Sequence, residues 1–508
     1  MTATKTSAEL PAWLRDLNLA RVVSGVPSEA TAVCWDSRQC VEEAVFVAVP
    51  GMAVDGNSFI REAISRGARS IIVQEDLRER WGPQIVEDVT FVAVPDARAA
   101  LAEAAAGFYG HPARSLGVIG VTGTDGKTTT THLIGHVLNA TGKRAGYLSS
   151  AEFAVGGAAE LNKTHLTTVE SPEVQRLLAR IRDEGGQHAV LEASSHGLAL
   201  HRLDQCEFDV GVFTNLAADH LDFHGTMAAY RDAKAILFRM LDESADKGFG
   251  KAAVLNADDP ASAELARVTR QPVITYGLGG GANLTGHDIT LDRLGTRFRA
   301  RMFGEDVEVR TPLLGDYNVS NCLAAVAAAM SQGVEFAEAV RALATFPGVP
   351  GRMEIIEEGQ KFRVVVDIAS TEQAMRNVLS VLRPVTEGRL IVVFGAAGDR
   401  DPARRRGIAR AVAALADEAV ITNEDPRGEP PDVILDSIEE GFKASGFSSY
   451  EREMDRRLAI ERAFQQARKG DTVLLAGKGT EPSIEMATEA IPWDEAQAAR
   501  ELLKELQA

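Results

Sequence analysis

Cationic charge is scarce in this chain of 508 residues: 54 Lys+Arg stand against 72 Asp+Glu, a formal net charge of −18. A surface that follows nucleic-acid phosphates needs the opposite balance, so no nucleic-acid partner is expected. Cysteine is scarce too. Cys34, Cys40, Cys206 and Cys322 are scattered without C-x-x-C spacing, which reads as reduced thiols and leaves a Cys34–Cys40 bridge as an open pairing. No apolar run approaches the roughly 20 residues of a membrane helix. Met1 to Ala20 lacks the cationic start and apolar core of a signal peptide. Internal repeats and low-complexity runs are absent as well. A cytoplasmic protein without membrane insertion, acting as a monomer, is the expectation.

What is present is the composition of a globular protein, 45% hydrophobic and 25% charged, with length for about three domains. Strand-like and helix-like segments alternate, which predicts α/β layers with mostly parallel sheets. Residues 1–113 form a first block, with strands near Val45–Val49, Ser70–Val73 and Thr90–Val94, ending at Gly110-His111-Pro112. Residues 114–348 form the second, with strands at His188–Glu192, Val210–Thr214 and Ala253–Asn256 and a hairpin-like stretch around Thr296–Arg310. The turn-rich segment Phe346 to Gly351 reads as a linker. Residues 349–508 form the third, with strands at Phe362–Asp367, Arg389–Phe394, Glu418–Thr422 and Thr472–Leu475 in a doubly wound pattern.

The second block opens on the segment with the clearest chemistry. The apolar run Leu116 to Val121 leads into Gly123-Thr-Asp-Gly-Lys-Thr-Thr129 and then an amphipathic stretch to Leu138. A strand, a glycine-rich loop and a helix in this order turn backbone N–H groups toward phosphate oxygens at a helix N-terminus. Lys127 is then placed to reach terminal phosphates and Thr128 to ligate Mg²⁺. The pattern G-x-x-x-x-G-K-[ST] asks for glycine at 121, where this chain has Val, so the loop is a variant.

Further groups gather at strand ends. Glu192 closes a strand beside this loop, where a carboxylate is well placed for Mg²⁺. Thr214 to His224 holds two histidines and two carboxylates, His220 and His224 among them, a grouping suited to metal or phosphate chemistry but matching no zinc spacing. Lys234, within Tyr230 to Phe238, reads by residue type alone as a solvated lysine. In the third block Asp367, Gly395–Arg400, Asn423–Arg427 and Gly477–Glu481 follow successive strands and are predicted to meet at one sheet edge.

With these residues in hand the chain resembles the Mur ligases, and among them the UDP-N-acetylmuramoyl-tripeptide synthetases. The resemblance runs through Asp36-Ser-Arg38, Phe46–Gly51 and Val54–Ile60, then Thr122–Thr130, Thr167-Thr168, Glu192–His196, Thr214–Gly225, Tyr230–Phe238, Leu255–Pro260, Leu314–Val319 and Gly351–Glu354. It implies a small α/β N-terminal domain binding the UDP-sugar, a central phosphate-loop α/β domain, and a Rossmann-like C-terminal domain that closes over ATP and the amino acid. The implied activity is ATP-dependent amide-bond formation through an acyl phosphate.

By the same resemblance, Gly123, Thr124, Asp125, Gly126, Lys127, Thr128, Thr129, Asn318, Arg352 and Asp367 contact ATP. Thr128 and Glu192 hold one Mg²⁺, while His220 shares a second with Lys234 carried as a carbamate. Ser37, Arg38, Thr167, Thr168, Ser195 and Arg202 contact the muramoyl-peptide. Glu424, Asp425, Arg427, Gly477 and Glu481 contact the incoming amino acid. The departures lie in the last domain. Asp-Tyr-Ala-His-Thr-Pro becomes Asp367-Ile-Ala-Ser-Thr-Glu372, Gly-Lys-Gly-His-Glu becomes Gly477-Lys-Gly-Thr-Glu481, and Asp-Asn-Pro-Arg becomes Glu424-Asp-Pro-Arg427. The Glu424/Asp425 carboxylates favour a cationic side chain, hence a diamino acid: meso-diaminopimelate, L-lysine or L-ornithine. A ligase of another acid and amine, of the polyglutamate or cyanophycin type, and a non-catalytic paralogue are the alternative readings.

Overall fold

Runs of four to six apolar residues become strands buried on both faces, and these set the frame of the molecule. The computed structural model describes residues 10–51, 54–164, 166–292 and 295–507. In the first sheet Val33–Cys34, Val45–Val47, Ser70–Gln74 and Thr90–Val94 run parallel, and Arg21–Ser24 adds an antiparallel edge. The helix Ala97–Phe108 covers one face, its first N–H groups capped by the Asp96 carboxylate.

Among the described residues the central sheet has eleven strands. Gly117–Thr122 lies between His188–Glu192 and Val210–Phe213, all parallel, with Glu192 level with Val121 and Phe213 level with Thr122. Three carboxyl-terminal loops therefore open side by side. Ala145–Leu148, Ala252–Asn256 and Val273–Gly277 extend the parallel part. Antiparallel strands extend it at both ends, including the predicted hairpin as Gly295–Met302 and Glu305–Thr311. Helices Lys127–Ala140 and Asp316–Ser331 cover one face. The latter is apolar nearly all round and accordingly buried. Helices Ser171–Asp183 and Met227–Glu243 cover the other face.

In the last sheet Thr472–Ala476 inserts between Arg363–Asp367 and Leu390–Phe394, followed outward by Glu418–Ile421 and Tyr450–Arg452, all parallel. Glu354–Ile356 pairs antiparallel at the other edge. Helices pack on both faces, so the doubly wound expectation holds. The four cysteines are free and buried, Cys34 and Cys40 with adjacent sulfurs flanking the Ser37–Gln39 turn. No helix among the described residues is long and apolar enough to cross a membrane.

Candidate active site

The loop after Gly117–Thr122 enters the helix Lys127–Ala140 with no side-chain cap, leaving first-turn N–H groups open to an anion. Its shape is pinned from the next strand end: Thr124 N–H donates to Asn215 O (2.8 Å), Asp125 N–H to Asn215 Oδ1 (3.0 Å), and Thr214 Oγ1 to Asp125 O (2.6 Å). Gly126 sits at φ 82°, and a Cβ there would stand 2.5 Å from Asn321 Oδ1. Gly126→Ala is therefore expected to raise the KM for ATP about tenfold, from about 1–3 kcal/mol of backbone strain. ATP titrations at saturating co-substrates check this; an unchanged KM would show the loop does not grip phosphate.

Two lysines share one carbonyl. Lys127 Nζ donates to Gly123 O (3.2 Å) and Thr124 O (2.8 Å), while Lys234 Nζ donates to Gly123 O (2.7 Å). Lys234 is 1% exposed, which corrects the solvated reading of it. It lies on the apolar stripe Tyr230, Lys234, Leu237, Phe238, Leu241 of its helix, so helical periodicity carries it inward whatever its residue type. Its Nζ is 4.2 Å from the Tyr230 ring centroid. Burial, then the neighbouring Lys127 charge, lowers its pKa to about 6. Burial lowers Lys127 as well.

Glu192 is 2% exposed. Its Oε1 accepts from Ser150 N (2.7 Å) and Ser150 Oγ (3.2 Å), and that hydroxyl lies 2.9 Å from Thr128 Oγ1. Its Oε2 is buried with no partner. An unpartnered buried carboxylate oxygen beside hydroxyls fits a hard divalent cation. Among the described residues no group of three His, Cys, Asp or Glu forms a closed metal cage. Such a site suits Mg²⁺, which takes one or two carboxylates plus substrate phosphates. His220 is half exposed at φ 52°, with Asp219 Oδ2 3.3 Å from its Nε2 and the His196 ring 4.7 Å away between centroids. It borders the Tyr230 ring (6.1 Å), the same ring that Lys234 adjoins, so the two meet through Tyr230.

Around this centre Thr168 Oγ1 donates to Glu192 O (2.8 Å) and accepts from Ser194 N–H (3.0 Å). Arg202 braces Thr168 O (3.0 Å) and pairs with Glu170 (2.7 Å), and Ser195 Oγ meets His224 Nε2 (3.0 Å). Thr167 precedes this network, half-buried. Ser37 and Arg38 lie apart, in the turn that follows Val33–Cys34 of the first sheet: Ser37 Oγ donates to Glu62 (3.0 Å) and the exposed Arg38 forks onto Asp36 (2.6 Å).

A cavity of about 530 Å³ opens between the phosphate loop and the last domain. Thr124 to Thr129 line one wall, and Asn318, Arg352 and Asp367 the other. Asn318 is fixed by Leu314 O (2.9 Å) and Asn321 (3.0 Å). Asp367 accepts from Met353 N–H and Ala369 N–H, each 2.8 Å. Burial raises its pKa and Arg352 opposes the rise. Arg352 reaches Ser150 Oγ at 3.5 Å, so the last domain touches the Thr128–Ser150–Glu192 group.

Beyond this cavity the loops of the last sheet converge. Lys478, fully buried, bonds both Asp425 and Glu481 at 2.7 Å, and Asp425 also accepts from Glu485 N–H (2.9 Å). Glu424 Oε2 is buried without a partner, and burial raises its pKa to about 7. Arg427, at φ 53°, makes no ion pair among the described residues.

Comparison with known proteins follows the same division into sheets. Residues 29–109 match the Mur ligase family catalytic domain, 121–329 the Mur ligase middle domain, and 351–479 the Mur ligase glutamate ligase domain. A UDP-N-acetylmuramyl-tripeptide synthetase of Roseiflexus sp. (strain RS-1) is 42% identical, over 95% of this chain and 96% of that protein. The chain belongs to the Mur ligase family.

A UDP-N-acetylmuramoyl-L-alanyl-D-glutamate–2,6-diaminopimelate ligase of Halalkalibacterium halodurans is 38% identical over 93% of this Mur ligase and 94% of its own length. A solved structure of a ligase with that name superposes with a TM-score of 0.67 at 29% identity, covering 96% of this chain and 98% of the other. Members of the family are ATP-dependent, ADP-forming ligases, and this Mur ligase is an enzyme of that class.

Sequence reasoning passed over two groups of this Mur ligase. Ser150 lies 22 residues from Thr128 and 42 from Glu192, and nothing local marks it. Lys478 stands inside a quoted motif without an assigned role, although a lysine between two glycines at a strand end invites one.

Proposed function

We propose that this Mur ligase joins an amino acid to UDP-N-acetylmuramoyl-L-alanyl-D-glutamate in peptidoglycan-precursor synthesis. The observation that carries this is the continuous group Lys127, Thr128, Ser150, Glu192 and Lys234, of which Lys127 and Thr128 line a cleft that Arg352 and Asp367 also line. In the reaction a substrate carboxylate oxygen attacks the γ-phosphorus of ATP, the bond to ADP breaks, and an acyl phosphate forms. The amine nitrogen then attacks the acyl carbon, phosphate leaves, and the amine loses a proton.

Lys127 leaves its loop carbonyls to meet the terminal phosphates, and loop N–H groups hold the rest. Thr128 and Glu192 would hold one Mg²⁺, and His220 with a Lys234 carbamate a second. Bound Mg²⁺ supplies charge neutralisation during phosphoryl transfer. A lysine uncharged at neutral pH is the form that adds CO₂, and burial puts Lys234 in that form. The first sheet carries Ser37 and Arg38 for the UDP-sugar, while Thr167, Thr168, Ser195 and Arg202 line the approach of the peptide carboxylate.

For the amine, the geometry sets Glu424 apart from the other acids. Lys478 sits between Asp425 and Glu481 and offsets their charge, whereas Glu424 Oε2 is left without a partner and Arg427 makes no ion pair among the described residues. That set suits an α-carboxylate on Arg427 and a distal ammonium on the acids, a diamino acid. Phosphate release measured with ATP, Mg²⁺ and UDP-muramoyl-Ala-Glu is expected with at least one of meso-diaminopimelate, L-lysine and L-ornithine, and at least about 100-fold weaker with L-alanine. Silence with every diamino acid would overturn the reading in favour of a different acid and amine.

A further inference from the structure

The helix Arg456–Gln466 begins with an arginine 2% exposed, and nothing in phosphoryl transfer uses it. Its guanidinium is nearly saturated. Nε and Nη2 donate to the two carboxylate oxygens of Glu495 (2.8 and 2.6 Å), Nη1 to Asn423 O (3.0 Å), and Nη2 also to Ala476 O (2.9 Å). Glu495 opens the last helix, is itself fully buried, and receives the Trp493 indole N–H. Asn423 immediately precedes Glu424, and Ala476 immediately precedes Gly477. Asn423 follows Glu418–Ile421 and Ala476 ends Thr472–Ala476, strands that do not neighbour each other, because Leu390–Phe394 runs between them.

One side chain thus ties together the roots of two loops that the sheet alone leaves separate, and the Lys478–Asp425 ion pair (2.7 Å) joins them again further out. Between them lies the unpartnered Glu424 Oε2. A Cβ at Gly477 would stand 2.6 Å from that oxygen, so the carboxylate rests directly on the second loop. A buried ion pair such as Arg456–Glu495 contributes little net stability over apolar residues of the same size, and its geometric demands fix relative position instead.

We propose that Arg456, gripped by Glu495, is a positioning residue that sets the roots of the Asn423–Arg427 and Gly477–Glu481 loops at the spacing in which Glu424 receives the distal ammonium of the incoming amino acid. This rests on the diamino-acid reading above. An amine lacking the distal ammonium leaves a buried carboxylate unpaired, which is the kind of mismatch that gives high selectivity. The groups acting on Glu424 are Arg456 and Lys478, which favour its anion, and Glu481 and Asp425, which oppose it. Because burial raises its pKa to about 7, the KM for the amine falls as pH rises through about 7.

The test is Glu495→Gln in the full-length enzyme, with KM for each substrate measured from pH 6 to 9. The expected result is an amine KM raised about 10- to 100-fold with the KM for ATP unchanged. The acid limb also moves to lower pH, because Arg456 without its counter-charge acts more strongly on Glu424. Arg456→Lys, which cannot span the same four acceptors, is expected to raise the amine KM too. Equal rises in both KM values, or a raised amine KM with an unmoved acid limb, would reduce the pair to a structural tie and overturn the proposal. Glu424→Gln separates the premises. If that variant is active with an unaltered amine KM, the Glu424 contact itself is wrong; if its amine KM rises while that of Glu495→Gln does not, only the role of Arg456 fails.

Discussion

Lys234→Ala lowers kcat by at least about three orders of magnitude, and short carboxylates such as acetate or formate partly restore it. The lysine is buried on Gly123 O beside the Tyr230 ring, and burial keeps its amine free of a proton at neutral pH. Its carbamate would place two anionic oxygens where alanine leaves a space, and a small carboxylate in that space would return the charge but not the tether. A second readout is independent of turnover. With ¹³C-bicarbonate the wild-type protein is expected to show a carbamate carbonyl resonance that the variant lacks. Unimpaired turnover in the variant would remove Lys234 from the metal set.

Lys127→Met is the second large effect, a loss in kcat of about 10³-fold or more. The side chain keeps nearly the same length, so the loop retains its packing while the cation is lost. In the structure that cation is satisfied by Gly123 O and Thr124 O, neutral acceptors that phosphate oxygens outcompete. The charge is therefore held close to where negative charge accumulates in the transition state. Single-turnover ADP formation at saturating ATP checks it. A rate within tenfold of wild type would show that the loop binds phosphates without assisting their transfer.

The parts legible in the sequence are those that local pattern determines. Gly117–Thr122, His188–Glu192 and Val210–Phe213 are apolar runs bounded by turn formers, the signature of strands covered on both faces. Val33–Cys34 and Tyr450–Arg452 are two and three residues long and owe their definition to one neighbouring strand, so no pattern announces them. Lys234 was legible in another sense: residue type argued for solvent, but its place on the apolar stripe argued for the interior, and the stripe prevailed. Ser150 and Arg456 find their partners tens of residues away, and tertiary structure alone brings these near.

The reach of Arg352 to Ser150 carries one more consequence. Ser150 belongs to the middle domain and sits against both Thr128 and Glu192, while Arg352 arrives with the last domain. The charged surroundings of the Thr128–Ser150–Glu192 group are thus assembled from two separately folded sheets, so a substitution in either can alter the same phosphate site.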